Sequence, residues 1–515
     1  MQDVRCREWL PNSIDTQPCA QPWNAASPGH FDVFLEATRS SSIPCRDNLA
    51  TNRPTAHDTM LDDTTSSLET IRRRSRTSLA RRLADFEAED QLAANEKSLD
   101  FFNNLRCFIP INSDRKRSRD DCAALARPKI LCEISPTRFG YVAVSYPWNP
   151  SQGEESSTGG YSLKSSGQPV TVRDIVLDRT IAFIKYKQRQ ERRTDHYAPE
   201  MRPLWIDQLS IDQECSTEKK IAVQSMDLVY MNCTYAVGYL WVEIQTQSQL
   251  DLLAALLRGH IVDDRDHQRR PALVKGIDAE TAVLVLELLL SITDDQWWRR
   301  AWIFQEDYLA GMDMWLLIRH GRGLKKAHLR DALGDLAGEV VVNSAELKKC
   351  ASLFCLAYCR RMKRDDNIRR ACEEILWKAG KYNVLHKYGR GGMEGKIQKT
   401  MTVSILKDLN SRQITDRSDL PTITANACSY DIRIGAESDE ASDRSLSLSI
   451  LALHVRNGEI IRNNRESPGE ISKNVFKFLE DQSMVIDAPL DDGALTFMKH
   501  CRLSVIKLSR TGIHL

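Results

Sequence analysis

The sequence predicts an α/β fold in which a parallel sheet is flanked by helices, and three observations carry that prediction. Short apolar runs rich in β-formers alternate with helical segments in the order strand, helix, strand, helix, strand between Tyr141 and Val242, the pattern of a parallel sheet with right-handed crossovers. The run Leu204 to Gln213, Leu-Trp-Ile-Asp-Gln-Leu-Ser-Ile-Asp-Gln, is apolar at first and then breaks into Asp and Gln. A buried strand reads this way when it delivers polar side chains at its carboxyl end, which is where open α/β sheets bind ligands. Two more stretches, Tyr141 to Asn149 and Trp297 to Asp307, join large aromatics to polar or acidic residues.

Composition narrows the function classes. A chain of 515 residues holds roughly two to four domains or subdomains. Its 71 Lys plus Arg balance 70 Asp plus Glu, so a net charge of +1 provides no global field for nucleic acid. The 14 cysteines lack the dense spacing of a secreted disulfide scaffold, and the N-terminus, with Asp3, Arg5, Arg7 and Glu8, lacks a signal-peptide core. These features predict a reduced, intracellular protein, most simply cytoplasmic. The most apolar run, Thr281 to Ile292, is too short to cross a bilayer and carries Glu287, so no membrane span is expected.

In chain order, residues 1–65 are rich in Ser, Thr, Asp, Asn and Pro and predict a disordered tail or loose cover. Residues 66–127 form an N-terminal helical region whose basic cluster, Arg72 to Arg82, reads as a solvated helix face or a nuclear-import signal. Residues 128–325 are the α/β unit. Within it a short strand at Ile130 to Ile134 precedes the strand at Tyr141, where alternation places Val142, Val144 and Tyr146 on one face. A helix over Thr171 to Gln190 leads to the strand at Leu204. A second helix begins after Ser216 and carries Ala222, Met226 and Val229 on one stripe. Strands follow at Ala236 to Val242 and Met314 to Ile318, separated by a helical insertion over about 246–293 and a helix containing the Trp-rich run. Residues 326–515 are mainly helical, with Leu446, Ile450 and Leu453 on one stripe and a short strand at Leu503 to Leu508.

Several chemistries find little support. Gly389, Gly391 and Gly392 have no preceding strand and predict a linker, not a phosphate loop. Cys350, Cys355 and Cys359 fall at helical spacing with His386 at no finger-like interval, so no metal site is expected and the thiols read as core. Cys215, Cys233 and Cys428 have no neighbours that mark an activated thiolate.

The three aromatic and polar blocks together resemble the fungal heterokaryon incompatibility (HET) domain. In that family the first block reads approximately Tyr-x-Ala-Leu-Ser-Tyr-x-Trp-Gly, matched by Tyr141 to Asn149 with Val144 and Asn149 as departures. The second, Leu-Trp-Ile-Asp-x-x-x-Ile-x-Gln, is matched by Leu204 to Gln213, and the third by Trp297, Arg300, Trp302, Gln305 and Glu306. Ala425 to Cys428 and Asn457 to Ile460 look like segments downstream in one group of HET-containing proteins. Chains of that group often continue past a segment like Arg510 to Leu515, so a C-terminally short chain is one expectation. The resemblance implies fungal non-self recognition, with HET domains as effectors of growth arrest or programmed cell death.

The order of elements also resembles, more distantly, the Toll/interleukin-1 receptor (TIR) domain, which implies a flavodoxin-like sheet. Catalytic members of that superfamily carry Trp-Cys-x-x-Glu on a helix, whose glutamate serves cleavage of the nicotinamide bond of NAD. Trp302 and Glu306 keep that spacing, with Ile303 in place of the Cys. The resemblance therefore implies Glu306 as the catalytic residue and NAD as substrate with no required cofactor, with Trp302 shaping the pocket. Ser145, Tyr146 and Asp207, at strand ends, are candidates to line the same crevice and Arg300 to meet phosphate. Core packing, turn formation and pairing of Glu306 with Arg299 or Arg300 stand as the structural readings of the same residues. On one continuous helix Trp298, Trp302 and Glu306 would form a stripe ending in a carboxylate. Two other readings stand beside the enzyme: a non-enzymatic module acting by self-association or through a separate recognition protein, and an inactive, truncated paralogue.

Overall fold

In this computed structural model the described residues are 60–74, 82–83, 91–111, 129–135, 140–151, 153–154, 157–194, 201–264, 270–362, 364–381, 384–385, 401–433, 445–457, 470–482, 507–509 and 512–514. Among them β1 (Cys107–Ile111), β2 (Lys129–Ile134), β3 (Val142–Ser145), β4 (Tyr161–Leu163), β5 (Leu204–Trp205), β6 (Tyr235–Ile244), β7 (Met314–His320) and β8 (Glu339–Asn343) form one sheet. Their order across it is β8, β7, β6, β3, β5, β1, β2, β4.

The four central strands are parallel: β3 pairs with β5 on one side and β6 on the other, and β6 pairs with β7. Numbered along the chain, these strands lie 2-1-3-4, the start of the flavodoxin-like order. Antiparallel strands extend both edges, β8 against β7 and β1 against β5, with β2 antiparallel to β1. The mixed edges differ from an all-parallel sheet in that β1 with β2, and β7 with β8, run antiparallel, a pairing that needs no long crossover. All residues of β3 are buried, as expected of a strand covered on both faces.

The pleat sorts side chains between two cores. Val142, Val144 and Tyr146 pack with Val237 and Leu317 beneath α1 (Asp174–Thr194), which contributes Val176, Leu177 and Ile184. Ala143, Trp205, Ala236 and Leu316 face the other way. There they meet Ala222 of α2 (Ser216–Gln224), Val229 of α3 (Met226–Met231) and Trp297 and Ile303 from the Trp-rich run. The stripe expected on one helix after Ser216 is divided between α2 and α3, because the Ser225 hydroxyl donates to the Ile221 carbonyl at 2.6 Å and a turn forms there.

The insertion after β6 holds a helix at Gln247–Leu257, a small hairpin and α4 (Ala279–Thr293). The Trp-rich run follows, ending in α5 (Ala301–Ala310), and after β8 come α6 (Ser344–Arg361) and α7 (Asp366–Ala379). Leu286 and Leu289 of α4 pack with Phe354 and Cys355 of α6 and Ile375 of α7. The C-terminal helices α8 (Met401–Asn410), α9 (Leu420–Ala427) and α10 (Leu446–Arg456) enclose Ala301, Phe304 and Tyr308 of α5. Residues from the end of the expected tail join them: the Asp63 carboxylate accepts from Ser447 N at 2.9 Å. Most of the tail, the Gly389 to Gly392 segment and Arg76 and Arg81 of the basic cluster lie outside the described residues. No described helix is long and apolar enough to cross a membrane.

Candidate active site

The Trp-rich run does not form one helix. Asp295 caps a 3-10 turn over Gln296–Arg299, accepting from Trp297 N at 2.9 Å. Arg300 is then extended (φ −90°, ψ 137°), and α5 starts at Ala301. The break is held by pairing with the C-terminal unit: Gln413 N donates to the Arg299 carbonyl at 2.8 Å, and Ala301 N donates to the Gln413 carbonyl at 3.1 Å. The expected continuous stripe of Trp298, Trp302 and Glu306 is therefore interrupted between its first two members.

Downstream of the break, α5 is buried on nearly every side and carries Glu306, 6% exposed, toward the carboxyl end of β3. Burial pushes the Glu306 carboxyl up to about 8; the hydroxyls of Ser145 and Tyr230 and the charge of Arg300 oppose the rise, and the Asp207 charge adds to it. Among the described residues Glu306 Oε2 has no hydrogen-bond partner. A buried oxygen of this kind is a cost to folding, and this one lies beside Asp207 and Arg300.

Asp207 begins the short helical turn after β5, where the backbone leaves the sheet. Its Oδ2 accepts from the Trp148 indole at 2.7 Å and its Oδ1 from Gln208 N at 2.8 Å. Burial raises Asp207 to about 6, with the Trp148 and Gln208 hydrogen bonds and the Arg300 charge pulling against it. Arg300 thus stands near both carboxylates, and among the described residues it closes no ion pair.

Ser145 ends β3 and accepts the Trp297 indole N–H at 3.1 Å. Tyr146, next along the chain, gives its hydroxyl proton to Gln208 Oε1. The loop after it is clamped by Arg173, which reaches the Pro147 carbonyl and forms a buried ion pair with Glu154. That clamp holds Trp148, 38% exposed, over Asp207. Trp302 is directed differently from these: its indole N–H goes to Asp419 Oδ2 at 3.2 Å, in the turn before α9. Ser145, Tyr146, Asp207, Arg300 and Glu306 converge at the carboxyl end of the sheet, whereas Trp302 bridges toward the C-terminal helices.

The sequence hides two members of the site. Tyr230 sits one residue after the core position Val229 and reads as more of the same stripe, yet its hydroxyl reaches the Val144 carbonyl at 3.0 Å and bears on Glu306. The signal was the phenol itself, a polar tip at a position otherwise filled by aliphatic side chains. Gln208 is masked by the Asp before it. Both neighbours of Glu306 on α5 serve structural contacts: Gln305 Oε1 meets Asn426 Nδ2 of α9 at 3.4 Å, and Asp307 forms a buried ion pair with Lys348 of α6.

Comparison with known proteins bears on the same residues. Residues 141–306 match the family model described as Heterokaryon incompatibility protein (HET). This stretch is a HET domain. Its match begins at Tyr141, before β3, and ends at Glu306 itself, so it spans all the residues that converge at the site. No curated protein and no solved structure matches the chain.

Proposed function

We propose that the HET domain of this chain hydrolyses the nicotinamide N-glycosidic bond of NAD, and that the protein thereby acts in fungal non-self recognition as an effector of growth arrest or cell death. The observation that carries this reading is the convergence of Glu306 on Asp207 and Arg300, where among the described residues Glu306 Oε2 has no hydrogen-bond partner and Arg300 closes no ion pair. The TIR-like spacing of Trp302 and Glu306 and the 2-1-3-4 strand order give the same direction.

The chemistry follows from charge. Breaking the bond from ribose C1′ to the pyridinium nitrogen sends the bonding pair to nicotinamide, which leaves neutral, while positive charge develops on the ribose. A cationic nicotinamide entering beside Glu306 favours the carboxylate over the acid, so binding expels the Glu306 proton and leaves an anion to stabilise the oxocarbenium-like state. Asp207, ionised at neutral pH, accepts the proton of the attacking water. Arg300 meets phosphate oxygens, and Trp148 must swing off Asp207 to admit the ribose.

The test is to incubate the purified full chain with NAD and quantify nicotinamide by chromatography. Wild-type protein releases nicotinamide and Glu306→Ala lowers the rate at least about a hundredfold. Full activity in the variant, or growth arrest by the variant on expression with undiminished cellular NAD, removes the mechanism and favours the self-associating module.

A further inference from the structure

A cavity opens beside the acidic site, on the other side of the ridge made by Trp297 to Arg300. It encloses about 480 Å³ and is lined by Ser151, Trp241, Asp294, Gln296, Arg299 and Gln413 among others, a size that accommodates a small organic ligand. Its place in the sheet is specific. β3 ends at Ser145 opposite Gly238, while β6 runs on to Ile244, so Trp241 stands beyond the carboxyl end of β3. The chain leaves β3 for β5 on one side and returns to β6 on the other, which makes this crevice the topological switch point of the sheet.

The ridge between this cavity and the acidic site is fixed. The Trp297 ring lies against Gly238, where a Cβ would come within 2.8 Å of it, and its indole N–H is tied to Ser145. At Arg300 the backbone is extended, so consecutive side chains leave on opposite sides. Arg299 accordingly lines the cavity, while Arg300 bears on Asp207 and Glu306. Two guanidiniums thus flank one ridge. Among the described residues Arg299 pairs with the exposed Asp294, a surface bridge that an incoming anion displaces at little cost.

The lining suits a nucleoside. Trp241 presents a partly exposed indole whose ring already stacks with Arg319 at 4.6 Å, and such a ring offers a planar base a stacking surface. Asp294 and Ser291 supply acceptors for ribose hydroxyls, and Gln296 and Gln413 supply amides for base edges. Asp295, though it lines the cavity, is committed to the backbone N–H groups of Trp241, Val242 and Trp297.

We infer that this cavity is a nucleotide subsite: it holds the adenosine half of a dinucleotide whose diphosphate crosses the ridge between Arg299 and Arg300 and whose reactive end lies at Glu306. The inference rests on the NAD reading for the identity of the whole ligand, but the subsite is tested without any cleavage. Isothermal titration of the full chain with AMP is the experiment, with circular dichroism confirming the fold of each variant. AMP binds to wild type, and Trp241→Ala and the surface variant Arg299→Ala each weaken binding at least tenfold. No heat of binding at millimolar AMP, equal binding by both variants, or ribose 5-phosphate binding as tightly as AMP overturns the subsite. Nicotinamide release that is absent while AMP binding behaves as stated breaks the catalytic reading alone.

Discussion

Glu306 keeps its proton where an ordinary glutamate has lost it, and this has a sign that can be measured. Its carboxyl moves from 4.5 unfolded to about 8 folded, so between those values the native state holds a proton that the unfolded chain has released. Stability from this group is fully present below pH 4.5 and is lost as pH rises toward 8. Asp207 acts with the same sign between 3.8 and about 6. Urea titrations of Glu306→Gln, a neutral isostere, should show a gain over wild type on the order of 1–3 kcal/mol at pH 8.5 that disappears near pH 4. Parallel pH profiles for the two proteins would assign the titration to another group. Gly238 yields a second prediction at this scale. Because a Cβ there meets the Trp297 ring at 2.8 Å and Leu316 at 2.9 Å, Gly238→Ala overpacks a rigid contact. It should destabilise the protein by roughly 1–3 kcal/mol in chemical denaturation and lower cleavage by moving the wall that Ser145 supports.

Among the elements, α5 decides the site, and it shows where sequence reasoning reaches and stops. Periodicity located the parallel strands because Val142, Val144 and Leu204 on one face and Ala143 and Trp205 on the other are all apolar, and it placed Asp207 at a strand end. It did not reveal β1, where Pro110 argues against a strand; Pro110 is tolerated beside the antiparallel partner Leu131. Nor did it reveal β8, a short Val-rich run read as part of a helical region. The break at Arg300 was illegible for a different reason: it is made by Gln413, more than a hundred residues downstream, and local spacing carries no record of such a partner. The convergence of Glu306 with Asp207 was foreseen only through family resemblance, and Tyr230 was not foreseen at all. The turn before α5 depends on Asp295, whose carboxylate gathers three backbone N–H groups, two of them from the irregular stretch of β6 at Trp241 and Val242. Asp295→Ala leaves those donors unsatisfied and should cost about 2–4 kcal/mol in urea denaturation, with AMP binding lost in parallel because Trp241 is no longer fixed. Retention of wild-type stability would show that water replaces the carboxylate.

At the scale of the molecule, the HET domain and the C-terminal helices share α5 as a common core element. Ile303 and Trp297 pack toward the sheet, while Ala301, Phe304 and Tyr308 pack against Ile405, Leu420 and Ile450. Polar contacts cross the same boundary: Asn426 Nδ2 donates to the Val223 carbonyl at 2.9 Å, Arg433 pairs with Asp227 at 2.7 Å, and buried Arg412 donates to the Trp298 carbonyl. A chain ended at residue 325 would expose the aromatic face of α5 and leave the β7 edge, from Met314 to His320, without β8. Such a fragment should be recovered as aggregate, whereas the full chain unfolds in one cooperative step reported alike by tryptophan fluorescence and far-ultraviolet dichroism. A soluble fragment with native dichroism would instead make the C-terminal helices a separable cover. The boundary also has a functional consequence, because Gln413 sets the ridge and Asp419 holds Trp302. Displacing the C-terminal helices by a partner would therefore alter the acidic site and the adjacent cavity at once, and Arg433→Glu, which opposes Asp227 with like charge at this seam, should reduce nicotinamide release and AMP binding together. Loss of one without the other would show that the acidic site and the cavity respond independently to that seam.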